Sequence, residues 1–174
     1  MDQELLKKTK SAKKRKIAIA VILILFAVSL AVALKVTGGA GVLPAGNQTC
    51  TIEIRCDQLS EDMSQLTNKA LEEYIPEDGV ILPETEYAFE EGATVFDALA
   101  DTCEAKKIHL ESKYDSLYQS YYVQGIGHLY EFDAGKRSGW MYTVDGESPE
   151  YGANQVELKG GEKIVWYYVT DYTY

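Results

Sequence analysis

The chain has 174 residues, of which 46% are hydrophobic and 25% charged, with a net charge of −10. These globular values exclude a chain disordered throughout, and the length suits one domain once a targeting segment is set aside. The charge is divided unevenly: residues 1–35 hold eight Lys/Arg against two acids, while the remainder holds nine Lys/Arg against 25 acids. So acidic a surface repels nucleic-acid phosphates and anionic headgroups, and it suits a soluble extracellular face.

Residues 1–16 carry seven of the basic groups and read as a cytoplasmic tail. Residues 17–34 are apolar or small apart from Ser29; as a helix they would be about 27 Å long, enough to cross a hydrocarbon core. The basic flank stays in the cytoplasm by the positive-inside rule, which places the rest of the chain outside. A signal anchor, giving a single-pass membrane protein, and a signal peptide cleaved after Ala31-Val32-Ala33, giving a secreted one, both fit. Residues 35–48 are rich in Gly and small residues and read as a flexible linker to a domain over 49–174.

Within that domain Cys50, Ile52, Ile54 and Cys56 alternate with Thr51, Glu53 and Arg55, a half-buried strand with both thiols facing inward. Leu59, Met63, Leu66 and Ala70 recur at roughly helical spacing and predict a short, irregular helix. Pro76 to Gly79 predict a turn and Tyr87 to Glu90 a second strand. The main helix follows: Thr94 and Asp97 form a capping pair, Phe96, Leu99, Ala100 and Cys103 form the apolar stripe, and Lys106-Lys107 close the end.

Beyond this helix the pattern is β throughout. Residues 108–112, 121–123 and 129–132 predict short strands, with Phe132 in the core. Residues 139–144 place Trp140, Tyr142 and Val144 on one face before an Asp145-Gly146 turn. Residues 156–158 and 162–169 flank Gly160-Gly161, and the last strand is apolar on both faces, which predicts a central position. Strands, one packed helix and more strands give an α+β domain of helix on a small mixed or antiparallel sheet.

An exported protein with three cysteines can form one disulfide and keep one thiol. Cys56–Cys103 is the preferred pair, Cys50–Cys103 its rival, and three reduced thiols the third arrangement. No Ser lies in a nucleophile elbow, and Gly125-Ile126-Gly127-His128 lacks the third glycine of a nucleotide loop. The expectation is therefore a non-catalytic protein.

Thirteen Tyr and two Trp fall mostly after residue 113. Aromatics favour strands in any case, but the run from Tyr118 to Tyr122 is too dense in Tyr for one buried face, so a ligand-facing patch competes with simple packing. Trp166 is assigned to the core. Glu131, Asp133 and Asp145, with Glu147 nearby, are candidate oxygen ligands for a hard cation such as Ca²⁺, set against an ordinary solvated acidic surface.

The segments TVFDAL, SYYVQGIGHLYEFD, SGWMYTVDG and YGANQVELKGGEKIVWYYV, with IRCDQL and PEDGVILP before them, resemble the bacterial transcobalamin-like C-terminal domain over nearly all of residues 49–172. The resemblance implies a β-grasp-like fold on the bacterial surface and a non-catalytic binding role. The ligand it implies is cobalamin or another corrinoid. By position it makes Trp140 and Tyr142 ligand-facing, with Tyr121, Tyr122 and Tyr151 nearby. Ala134 and Ala153 stand where close members carry cysteines, and the helical domain that holds cobalamin in transcobalamin has no counterpart in the sequence. Expected partners are a small-molecule ligand, the membrane through the N-terminal helix, and no nucleic acid. The alternative is a structural or adhesive surface module that meets a cation or a protein through its acidic face.

Overall fold

The computed structural model describes residues 46–172; the predicted tail and membrane segment, with residues 35–45 of the linker, lie outside them. Among the described residues no helix is long and apolar enough to cross a membrane. A four-stranded mixed sheet has the order β2-β1-β7-β6, and a three-stranded sheet has the order β3-β4-β5. The strands are β1 (Gln48–Arg55), β2 (Val80–Phe89), β3 (Leu110–Asp115), β4 (Ser120–Ile126), β5 (Leu129–Tyr130), β6 (Gly139–Val144) and β7 (Lys163–Val169). Helix α1 (Asp57–Glu61) is followed by two short 3₁₀ turns at Met63–Gln65 and Lys69–Tyr74, the irregular helical stretch that the sequence predicts. The main helix, α2, spans Val95–Lys106.

The alternation in β1 sets the inner face: Cys50, Ile52, Ile54 and Cys56 are buried, and Thr51, Glu53 and Arg55 are half-exposed. β1 pairs in parallel with β7, placing Ile52 beside Ile164 and Ile54 beside Trp166. β6 pairs antiparallel on the far side of β7, with Tyr142 opposite Trp166 and Trp140 opposite Tyr168. β7 is thus central, as its two apolar faces predict. Helix α2 begins with a full capping box: the Thr94 hydroxyl accepts from the Asp97 N–H, and the Asp97 carboxylate accepts from the Thr94 N–H. Val95, Leu99 and Cys103 join the inner-face residues of β1 in one core cluster.

Several elements depart from the sequence reading. The second strand runs over Val80–Phe89 rather than from Tyr87 to Glu90. It contains Pro83, which a sheet tolerates at its edge, and β2 is the edge strand. The predicted strand at 129–132 stops at Tyr130, because Phe132 turns into the left-handed region (φ 69°). Phe132 is half-exposed rather than part of the core. The predicted strand at 156–158 reduces to one bridge between Glu157 and Thr94, closed by Val95 N–H to Val156 O and Leu158 N–H to Ala93 O. Asp145 and Gly146 both have positive φ (53° and 85°), and Val144 and Glu147 exchange two backbone hydrogen bonds across them, forming a type I′ turn.

The expected Cys56–Cys103 disulfide is not formed, nor is its rival with Cys50: all three cysteines are free and buried. Facing the same core is necessary for a bridge but not sufficient, since the bond also requires a narrow Cβ separation and dihedral. Burial pushes the thiols of Cys50, Cys56 and Cys103 up to about 12, which leaves little thiolate to react. Native protein should therefore give no thiol reaction with a disulfide reagent, and unfolded, unreduced protein should give three equivalents. The melting temperature should be the same with and without reductant; one equivalent and a reductant-sensitive melt would establish a bridge.

Candidate functional site

Helix α2 packs against β2 and the 153–155 turn, and β4 of the β3–β4 hairpin lies against β6 instead. Between that hairpin and the sheet is a cleft of about 780 Å³. Its floor is aromatic: Trp140 and Tyr142 come from β6, and Trp166 from β7. Tyr142 stacks on Trp166 with ring centroids 5.0 Å apart, and Trp140 meets Tyr168 edge-on at 5.3 Å. The hairpin contributes Asp115, Tyr118, Tyr121 and Tyr122, and the chain after β6 contributes Ser148 to Ala153. That chain leaves the sheet after the Asp145-Gly146 turn, and Pro149, which cannot donate to a ladder, follows at once.

All five aromatics singled out from the sequence, Trp140, Tyr142, Tyr121, Tyr122 and Tyr151, line this cleft, but they do so in different ways. Trp140 is buried, and its indole N–H donates to Leu129 O at 2.8 Å, so it braces the cleft as well as lining it. The Tyr142 hydroxyl donates to Tyr151 O at 2.7 Å, tying the floor to the 148–152 loop, and burial pushes its phenol up to about 12. Tyr121 stacks on Phe96 of α2 at 4.3 Å, and the Tyr122 hydroxyl donates to Glu131 at 2.5 Å. Burial first, and then that carboxylate, raises the Tyr122 pKa. Tyr151 is 67% exposed and engages neighbours only through its backbone carbonyl among the described residues.

Two contributors were not singled out. Trp166, assigned to the core from the sequence, is only 3% exposed and yet lines the cleft; among the described residues its indole N–H has no acceptor. Asn154 positions the opposite wall. Its Oδ1 accepts from the Tyr121 N–H (3.0 Å) and the Ser120 hydroxyl (3.1 Å), and its Nδ2 donates to Gln119 O (3.1 Å). The adjacent Gln155 donates to Tyr118 O at 3.1 Å. Gly152 is needed beside it, because a Cβ there would stand 1.7 Å from Ser120 Oγ.

The candidate cation ligands are not gathered into a site. Glu131 and Asp133 lie in the turn after β5, with the left-handed Phe132 between them. Each is engaged internally: Glu131 by Tyr122, Asp133 by the Tyr130 N–H at 2.7 Å, and Asp145 by the Lys163 N–H at 2.8 Å. Among the described residues no group of three or more His, Cys, Asp or Glu is placed to hold a metal ion.

Asn154→Ala removes three hydrogen bonds between the hairpin and the 152–155 segment, for a cost of about 1–3 kcal/mol. Urea unfolding should show that loss, and Gly152→Ala should cost at least as much. An Asn154→Ala protein as stable as the parent would show that the tie contributes nothing.

Comparison with known families matches residues 92–170 to a family described as a domain of unknown function, DUF4430. That span runs from just before α2 to just after β7 and contains every residue lining the cleft. No curated protein matches the chain. Among solved structures, the chain is similar to one from Ruminococcus gnavus ATCC 29149 described as a "putative metal binding protein". The identity is 15% and the TM-score 0.42, over 71% of this chain and 97% of that one.

Proposed function

We propose that this chain is a non-catalytic, extracytoplasmic binding module that holds a small amphipathic, ring-bearing molecule in the cleft between the β3–β4 hairpin and β6–β7. The observation that carries this reading is the convergence of five aromatic side chains from β4, β6 and the 148–152 loop on one cleft of about 780 Å³. Binding clefts for small molecules are concave, mostly apolar and of this size. Tyr and Trp suit them, since they offer large contact area and a polar handle while losing little side-chain freedom.

The transcobalamin-like resemblance supplies a first ligand to test, a corrinoid. The strand order β2-β1-β7-β6 around a central parallel pair supports the β-grasp-like reading that accompanies it. The basic N-terminal tail and apolar segment supply the membrane anchor in this reading, with the domain on the outer face.

Both tryptophans of the chain line the cleft, so ligand entry should change their emission. Titrating the full chain with cyanocobalamin, read by calorimetry and by tryptophan fluorescence, should give saturable binding. Tyr151→Ala should weaken it about five-fold, within the ~0.5–1.5 kcal/mol of an aromatic contact. Absence of heat at millimolar cyanocobalamin would overturn the corrinoid assignment. Binding unchanged in Tyr151→Ala would move the site away from the cleft.

A further inference from the structure

The cleft's charge points to a class of ligand. Seven aromatic side chains line it, and its charged lining consists of two carboxylates, Asp115 and Glu150, without a Lys or Arg. Asp115 is held in place at the hairpin turn, where its carboxylate accepts the N–H groups of Leu117 (2.8 Å) and Tyr118 (3.3 Å). Glu150 is exposed and has no ion-pair partner among the described residues. The basic groups that do form ion pairs, Arg55, Arg137 and Lys163, do so away from this lining.

The faces of aromatic rings carry the negative end of a quadrupole and attract cations, most strongly those that are weakly hydrated. Two of the rings, Tyr118 (71% exposed) and Tyr151 (67% exposed), lie open to solvent, and they belong to the two separate segments that line the cleft opposite its floor. Low-dielectric walls focus the field of Asp115 and Glu150 into the opening, which favours cations and repels anions. Below them the stacked rings of Tyr142 and Trp166 give the cleft an apolar aromatic floor.

Resting on the binding reading of the same cleft, we infer that its ligand is an amphipathic cation. Such a molecule joins a quaternary or similarly weakly hydrated ammonium group, held against the Tyr118, Tyr151 and Glu150 side, to an apolar ring on the aromatic floor. Anionic amphiphiles of the same shape are rejected.

Three benzoate esters of matched shape test this on the full chain by calorimetry: benzoylcholine, its uncharged isostere 3,3-dimethylbutyl benzoate, and the anionic 2-sulfoethyl benzoate. Benzoylcholine should bind about ten-fold more tightly than the neutral ester, as cation–π attraction in a partly desolvated site implies, and the sulfonate should bind more weakly than both. Glu150→Gln, which removes charge at constant shape, and Tyr151→Leu, which removes the π-face, should each weaken benzoylcholine about three-fold more than they weaken the neutral ester, and so narrow the preference between the two. Neutral ester bound as tightly as benzoylcholine would overturn the charge preference and leave the cleft reading intact. A ten-fold preference unaltered by both variants would overturn its placement at Glu150 and Tyr151. Binding of none of the three would overturn the cleft reading itself.

Discussion

The parallel pairing of the first and last strands is the constraint on which the rest of the domain depends. Ile52 sits beside Ile164 and Ile54 beside Trp166, so residues more than a hundred positions apart form the centre of one sheet. The join is sealed at one end by Thr51 N–H to Glu162 O and Gly161 N–H to Thr49 O. A parallel pair needs a crossover, and everything between β1 and β7 is hung on that requirement. β2 flanks β1, β6 flanks β7, and α2 lies on the inner face between them. On the outer face Lys163 of β7 reaches both Glu53 of β1 (3.2 Å) and Glu84 of β2 (2.6 Å), spanning three strands. Burial works to raise the Glu53 carboxyl, but Arg55 and Lys163 outweigh it and hold the group below the usual carboxylate range. Its contribution is therefore complete at neutral pH and lost as pH falls through that lowered value.

The cleft follows from the same arrangement. A single twelve-residue helix is too short and narrow to cover four strands, and α2 packs toward β2 and the 153–155 turn. The inner face of β6 and the adjoining part of β7 are left for another element. The β3–β4 hairpin takes that place without filling it: Asn154 and Gln155 hold its tip by hydrogen bonds, and Tyr121 stacks on Phe96 of α2. Pulling the hairpin from this position would leave the donors and acceptors of Asn154 and Gln155 unpaired, so the tie fixes the wall of the cleft.

Features carried by neighbouring residues were legible in the sequence. The alternation of β1, the Thr94–Asp97 capping box, the Asp145-Gly146 turn and the two-sided apolar β7 each follow from a period or a short motif. What escaped depends on pairing across the fold. Pro83 disguised a ten-residue strand, because edge position is a property of the sheet and not of the segment. The left-handed φ of Phe132 ended β5 early and swung that side chain outward, although its residue type favours the core. Asn154 carries no local signal, as its partners lie more than thirty residues away. The inward faces of Cys56 and Cys103 were read correctly, and the bond between them was not, because facing fixes direction but not separation.

The two tryptophans show why residue type alone does not assign roles within the cleft. From the sequence Trp140 was the ligand-facing candidate and Trp166 a core residue. In the fold Trp140 has its N–H satisfied by Leu129 O and an edge contact with Tyr168, so its packing is complete without a ligand. Trp166 is more deeply buried, yet it is the one left without an acceptor among the described residues. A buried unpaired N–H costs about 1–3 kcal/mol, and phenylalanine would remove the donor while keeping an aromatic ring against Tyr142. Local rules broken without a gain in packing tend to mark functional positions. The indole that looked purely structural is thus the one whose chemistry the fold leaves incomplete.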